Sequence, residues 1–294
     1  MSLVNQTAWV VGGVGVVGRG IARGLLQAGA TVIVNSRSEE RLVTIQGTLG
    51  NPERLILVHG SLLPGYASKT VAETLEKHGS LNHVVAHGAV RWWASPTAGK
   101  FFDHEYRAGC DESYSLNIRT SDKLLSMTPE EFARSSAQLA TLHFSAAQQL
   151  MPRLQPVGKG CAPSYTFVTG DGSGKPGGER TAMGEINSHH VWGLAAALRK
   201  EMEGESMNVR EIRVGLPVHA EDRDAERPLS EDIGDLCAGL AAAASNHYDH
   251  GRLIKLDDFD ELEHMLHEYR AVGDGRIGTL PRYLCDQGEL SGSL

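Results

Sequence analysis

Residues 7–37 read TAWVVGGVGVVGRGIARGLLQAGATVIVNSR, and this stretch decides the fold. Thr7 to Val11 is a short β-rich run. Gly12 to Gly18 is a glycine turn, a helical segment continues to about Ala28 and stops at Gly29, and Thr31 to Val34 is a second, almost wholly apolar run. The order strand, glycine turn, helix, strand is a βαβ unit. A strand apolar on both faces belongs in a parallel sheet covered by helices on each side. Within the turn, Gly13, Gly15 and Gly18 complete a GxGxxG. The pattern has weight here because it follows a strand and opens a helix. Glycines permit the tight turn and a close approach of backbone to a pyrophosphate, and the helix N-terminus supplies unpaired N–H groups and partial positive charge. The turn predicts a dinucleotide site formed by Gly12, Gly13, Gly15, Val16, Val17 and Gly18.

The end of the second strand reports on which dinucleotide. An NAD site usually places an acid there to bind the ribose 2′-hydroxyl. This chain has Asn35-Ser36-Arg37-Ser38 and no acid until Glu39. Arg37 suits a 2′-phosphate, a charge-assisted contact worth about 1.5–3 kcal/mol, and Ser36 adds a hydroxyl donor. The expectation is NADP rather than NAD; the plainer reading of Arg37 is a solvated loop cation.

The alternation of strand and helix continues. Arg54 to Val58, Leu81 to Ala86, Ser164 to Thr169, Glu211 to Leu216 and Arg252 to Leu256 read as strands. Ser68 to His78, Pro129 to Leu154 (with Thr128 as N-cap), Thr181 to Met202, Glu231 to Ala244 and Phe259 to Arg270 read as helices. This predicts an α/β fold: a Rossmann-like, doubly wound parallel sheet in a three-layer α/β/α sandwich. We expect one domain over about residues 1–275 and an irregular C-terminal tail over 276–294. An aromatic-rich insertion at about 91–126 carries Trp92, Trp93, Phe101, Phe102, Tyr106 and Tyr114. It is long for a connection, and such loops are often lids or binding loops.

Composition narrows the function classes. Asp+Glu 36 against Lys+Arg 28 gives a formal charge of -8, which argues against nucleic acid or an anionic membrane as partner. No apolar run approaches the roughly 20 residues of a membrane span. The N-terminal apolar run has no basic stretch before it and reads as a strand, not a signal peptide. Cys110, Cys161, Cys237 and Cys285 are far apart and form no CxxC, as in a reduced compartment. The expectation is a cytoplasmic protein acting on a small-molecule substrate.

Over about residues 5–258 the sequence resembles the short-chain dehydrogenase/reductase (SDR) family. Gly12 to Gly18 resembles its TGxxGxxG turn, with Val11 in place of Thr, and Asn35-Ser36-Arg37 is similar to its NADP-preferring members. Val84-Val85-Ala86-His87-Gly88-Ala89 sits where the family has an NNAG strand end; both Asn are lost, and the small residues that let the chain pass the cofactor remain. The resemblance places Ala86, His87 and Gly88 beside the cofactor. It also places Ser61, of Gly60-Ser61, on the adenine side, where an Asp is usual. Arg213-Val214-Gly215-Leu216-Pro217 looks like the strand leading to a Pro-Gly turn by the nicotinamide, with Val218 for Gly, which puts Pro217 there; Gly251 to Asp257 resembles the final strand. Family members usually dimerise through the two long helices, here about 129–154 and 181–202, which implies a homodimer or homotetramer.

The family's catalytic tetrad is Asn, Ser, Tyr and Lys. Aligning Gly193-Leu194 with the Gly-Leu downstream of the Lys puts Met183 at the Tyr position and Asn187 at the Lys position. The Ser position falls on Gly170 and the Asn position on Leu139. No Tyr in the chain has a Lys four residues later; Tyr66 and Lys69 are three apart and follow the wrong strand. Met, Leu and Gly side chains exchange no proton near neutral pH, and Asn does so negligibly. Loss of positioned acid–base help typically costs roughly 10²–10⁴ in rate. Substitute proton carriers are Asp171 and Ser173, just past Gly170; His190, seven residues after Met183; and His143, four after Leu139. Glu185 and Tyr165 are further options. A core or interface role is the plain alternative for each His, and a turn role for Asp171. His247 with His250, and His264 with His267, have i, i+3 spacing but no convincing third ligand, so no metal site is expected. The reading is an NADP(H)-binding, SDR-like protein. It is a biosynthetic oxidoreductase or a non-redox enzyme with a non-standard active site for a small apolar substrate. The alternative is a catalytically silent NADP(H)-binding sensor or partner subunit.

Overall fold

The computed structural model describes residues 2–87, 124–156, 162–170, 182–216, 218, 228–243 and 251–269. Seven strands, β1 (Thr7–Val11), β2 (Thr31–Ser36), β3 (Leu55–His59), β4 (His83–Ala86), β5 (Ser164–Gly170), β6 (Asn208–Val214) and β7 (Leu253–Leu256), form one sheet in the order β3-β2-β1-β4-β5-β6-β7. Every pair is parallel. The chain winds outward from β1 to β3, returns to β4 beside β1, and winds the other way to β7. The reversal opens a crevice at the C-terminal ends of β1 and β4, the place where doubly wound sheets bind ligands.

The described helices are α1 (Val16–Gln27), α2 (Glu39–Thr48), α3 (Ala67–His78), α4 (Pro129–Leu150), α5 (Ala182–Glu201), α6 (Leu229–Ala242) and α7 (Phe259–Glu268). Alternate residues of each strand feed opposite faces. Val10, Val32, Val34, Val85 and Ile212 join Ile21, Leu25 and Leu42 with Leu236 and Leu262, under α1, α2, α6 and α7. Trp9, Ile33, Val84, Tyr165 and Phe167 join Val71, Leu150 and Ala195 under α3, α4 and α5. These are the three layers expected from the doubly apolar strands.

Helices α1 and α6 touch backbone to backbone. A Cβ on Gly20 would lie 1.8 Å from the Ser230 carbonyl oxygen, and one on Gly234 would lie 2.0 Å from the Gly20 carbonyl oxygen. Only glycine allows this approach, which packs α1 closely against α6.

Three local expectations shift. Helix α2 lies in a stretch read as a connection, because only Leu42 and Ile45 on it are buried. Its sequence signal is the cap: Ser38 accepts from the Arg41 N–H, with Glu39 and Glu40 in the first turn. Strand β6 spans Asn208–Val214 rather than Glu211–Leu216, because Asn208 and Arg210 look like polar flanks yet are buried. Helix α4 stops at Leu150, and Pro152 turns the next residues, Met151–Arg153, into a 3₁₀ segment. The Thr128 cap is present as a full capping box with Glu131. Most of the 91–126 insertion and all of the 276–294 tail lie outside the described residues. No helix among the described residues is long and apolar enough to cross a membrane.

Candidate active site

The glycine turn leaves β1 at Gly12, whose φ of 79° is left-handed and suits glycine. Gly13 sits against Val34, where a Cβ would meet Cγ1 at 2.7 Å. A Cβ on Gly18 would lie 2.2 Å from the Gly12 carbonyl oxygen. Gly15 differs. Its φ of -78° suits any residue, and a Cβ there would meet the Gly12 carbonyl oxygen at 3.5 Å, an ordinary contact. Packing among the described residues therefore gives no reason for glycine at 15. Gly15 is also the N-cap of α1, with no side-chain cap among the described residues and no acid in the first turn. The first-turn N–H groups and the helix dipole have no anionic side-chain cap among the described residues. Val14 and Val17 are half-buried against the α1-side core, and Val16 is half-buried.

The loop after β2 is tightly hydrogen-bonded. The Ser36 carbonyl accepts from the Gly60 N–H at 2.9 Å, and the Ser36 hydroxyl oxygen accepts from the Ser38 N–H at 3.1 Å. Trp9 Nε1 donates to Asn35 Oδ1 at 3.0 Å, and Asn35 Nδ2 donates to the Gly60 carbonyl at 3.3 Å. Sequence reasoning gave Asn35 no such role, because its partners lie on β1 and after β3. Arg37 is exposed at the loop's tip. Ser61 shapes the turn into α3: its N–H donates to Thr70 Oγ1 and its hydroxyl oxygen accepts from the Leu63 N–H, both at 3.2 Å.

At the far side of the crevice, Ala86 is buried between Val11 and Phe167. His87 continues the ladder, its N–H donating to the Val11 carbonyl at 2.9 Å. Its Nδ1 lies 3.2 Å from the Val168 carbonyl. A carbonyl only accepts, so Nδ1 carries the hydrogen and the lone pair of the neutral ring is on Nε2. Burial lowers the pKa of His87, against the opposing effect of the Val168 bond. Gly88 and Pro217 lie outside the described residues.

Of the four positions assigned to the tetrad by resemblance, Gly170 closes β5 and is exposed, and Leu139, Met183 and Asn187 are buried. Asn187 ties α5 to α4. Its Nδ2 donates to the Ser135 and Met183 carbonyls, each at 3.0 Å, and its Oδ1 accepts from the Leu139 N–H at 3.4 Å. His190 adds a parallel tie, donating from Nδ1 to the Ser136 carbonyl at 2.6 Å. It is exposed while Met183 is buried, so the two do not share one environment. His143 is buried with its ring 5.9 Å from that of Phe167. Tyr165 is fully buried, and burial pushes its phenol far above the ordinary range, which rules it out as a proton donor at neutral pH. Glu185 lies 3.6 Å from His189 at i, i+4. Asp171 and Ser173 lie outside the described residues.

A buried charge cluster beside Gly170 was not foreseen. Glu211 is wholly buried; it accepts from Thr169 at 3.2 Å, from Arg199 at 3.3 Å and from Arg213 at 2.8 Å. The Arg213 guanidinium also lies 4.3 Å from the Trp192 ring centre. The sequence signal was three charges in one strand, Arg210, Glu211 and Arg213. Among the described residues, no three His, Cys, Asp or Glu side chains converge to hold a metal ion.

A family model described as NADP oxidoreductase, coenzyme F420-dependent, matches residues 9–77, from β1 into α3. No curated protein matches the sequence. Solved structures of short-chain dehydrogenases/reductases match it along most of its length. RhlG from Pseudomonas aeruginosa, solved as an NADP active-site complex, is 22% identical, with a TM-score of 0.64 over 87% of this chain and 96% of that one. A short-chain type dehydrogenase/reductase from Mycobacterium ulcerans is 19% identical, with a TM-score of 0.61 over 89% and 91%. One from Serratia marcescens is 15% identical, with a TM-score of 0.62 over 87% and 98%. At these identities the likeness establishes the fold: a Rossmann-like sheet of the SDR kind.

Proposed function

We propose that the chain is a divergent short-chain dehydrogenase/reductase that binds NADP(H) in the crevice between β1 and β4. The observation that carries this is Gly15, a glycine that neither backbone conformation nor packing among the described residues requires, at an N-terminus of α1 with no side-chain cap among them. A pyrophosphate approaching the backbone explains it. In this reading Gly12, Gly13, Gly15, Val16, Val17 and Gly18 cradle the pyrophosphate, and Ser36 and Arg37 take the 2′-phosphate. Ser61 borders the adenine, and Ala86, His87, Gly88 and Pro217 border the nicotinamide. The bound coenzyme supplies a hydride.

Asn187 and His190 tie α5 to α4, and His143 and Tyr165 are buried beside Phe167, which leaves Asp171, Ser173 and Glu185 as the proton carriers from the sequence reading. Substrates that demand little acid help fit such a site: a small apolar imine or an activated alkene. The test is titration with NADPH and NADH by intrinsic fluorescence, followed by turnover assays on imines, enones and ketones. Tight NADPH binding is expected, and binding of neither coenzyme overturns the proposal. A second reading, a silent NADP(H)-binding sensor or subunit, draws support from the use of Asn187 as a tie between helices. NADPH binding without turnover, together with a coenzyme-dependent change in assembly, selects it.

The reading includes a cytoplasmic homodimer or homotetramer joined through α4 and α5. Phe132 and Phe144 are exposed on α4, and Gly193, Ala196 and Ala197 are exposed on α5. A small-residue surface flanked by aromatic rings fits a second copy. Phe144→Glu is expected to yield monomers in sedimentation, and an unchanged assembly overturns this mode of association.

A further inference from the structure

We infer that His59 is a specificity-determining residue for the coenzyme: it draws the Glu39 carboxylate away from the ribose 2′ position and fixes the loop that carries Arg37. This rests on the coenzyme reading above. His59 is the last residue of β3 and pairs in register with Ser36, the last residue of β2. Its ring therefore lies over the loop that leaves β2. Nε2 is 3.0 Å from the Arg37 carbonyl oxygen, and Nδ1 is 3.3 Å from Glu39 Oε1.

Both partners are acceptors only. Nε2–H donates to the Arg37 carbonyl, and a proton on Nδ1 is what a contact with the Glu39 carboxylate calls for. The neutral ring serves one partner and turns a lone pair on the other. The geometry places the ring between the backbone of Arg37 and the first acid after β2.

That acid is the reason the contact matters. Glu39 is the residue nearest to the place where an NAD site keeps its carboxylate. An unpaired carboxylate there repels a 2′-phosphate and accepts from a 2′-hydroxyl, which favours NAD(H). Held against His59 at the start of α2, it is drawn aside, and the loop presents Arg37 and the Ser36 hydroxyl instead. The other charges on this stretch are Glu40 and Arg41, and the Arg41 N–H is occupied by the Ser38 cap. Both members of the pair are more than half exposed, so the effect is that of a solvent-screened contact, about threefold to fivefold in affinity.

The experiment measures dissociation constants for NADPH and NADH with the full chain and four variants: His59→Gln, His59→Arg, Glu39→Gln and the double variant His59→Gln/Glu39→Gln. Gln keeps an N–H for the Arg37 carbonyl but brings no charge; Arg keeps both donors and a fixed charge. Expected results are a threefold to fivefold loss of NADPH-over-NADH preference in His59→Gln, little change in His59→Arg or Glu39→Gln, and recovery in the double variant. Recovery separates removal of a competing acid from a merely structural role. Thermal midpoints near that of the parent show that each variant folds. If the parent binds both coenzymes and His59→Gln leaves the ratio unmoved, or the double variant matches His59→Gln, the inference falls and the coenzyme reading stands. If the parent binds neither coenzyme, both fall.

Discussion

His83 makes the folded chain sensitive to mild acid. It lies on β4 with no exposed surface, Nδ1 2.8 Å from the Ser164 hydroxyl oxygen and Nε2 2.6 Å from Gln6 Oε1. Burial, reinforced by the Arg210 guanidinium, lowers its pKa from 6.5 to about 3. The unfolded chain takes up a proton at this residue near pH 6.5, and the folded chain does so only near 3. Between those values the unfolded state binds more protons, so stability falls as pH drops through that window and is unaffected by His83 above about pH 7. At roughly 1.4 kcal/mol per tenfold change in proton affinity, the loss is about 2 kcal/mol at pH 5 and on the order of 5 kcal/mol at pH 3. His83→Gln removes the titration and keeps a polar group for Gln6 and Ser164. Carboxylates titrate in both proteins, so the informative quantity is the stability difference between parent and variant, from urea melts at pH 7, 6 and 5. The variant is the less stable at pH 7, and the gap is expected to narrow by about 2 kcal/mol by pH 5. A gap that stays constant from pH 7 to 5 refutes the assignment of His83 as a buried neutral group.

Four further outcomes are open to direct measurement. Gly234→Ala places a Cβ 2.0 Å from the Gly20 carbonyl oxygen; it is expected to cost about 2–3 kcal/mol in chemical denaturation. Gly47→Ala, in α2 with nothing within 4 Å, is expected to stabilise by about 0.5–1 kcal/mol. Arg37→Ala is expected to weaken NADPH binding by about tenfold or more and to leave NADH binding unchanged, as read by calorimetric titration. Asn187→Lys brings a lysine to the position suggested by resemblance but leaves the Leu139 N–H without the Asn oxygen. It also buries a charge between α4 and α5, so a loss of about 2–4 kcal/mol is expected in thermal melts. Carbonyl reduction is not expected to appear, because residue 183 remains Met.

What was legible in the sequence was what local chemistry writes. The strand-turn-helix order around Gly12 to Gly18 and the doubly apolar strands sufficed for the sheet and its crevice, because each depends on neighbours in the chain. Helix α2 went unread because two buried residues make too weak a stripe. Strand β6 was placed three residues late for a different reason: its charges are satisfied by groups remote in sequence. Arg210 donates to the Leu240 carbonyl in the last turn of α6, and Glu211 is held by Arg199 and Thr169. Burial of a charge is invisible until its partner is known. The same logic governs the site. The sequence announces that residue 187 is not lysine, but not what the asparagine does. In the fold it spans two helices through Ser135, Met183 and Leu139, with His190 bonding in parallel to Ser136. Leu139, Met183 and Asn187 are therefore parts of one helix contact. Replacing any of them alone with the residue suggested by resemblance disrupts that contact before it adds chemistry.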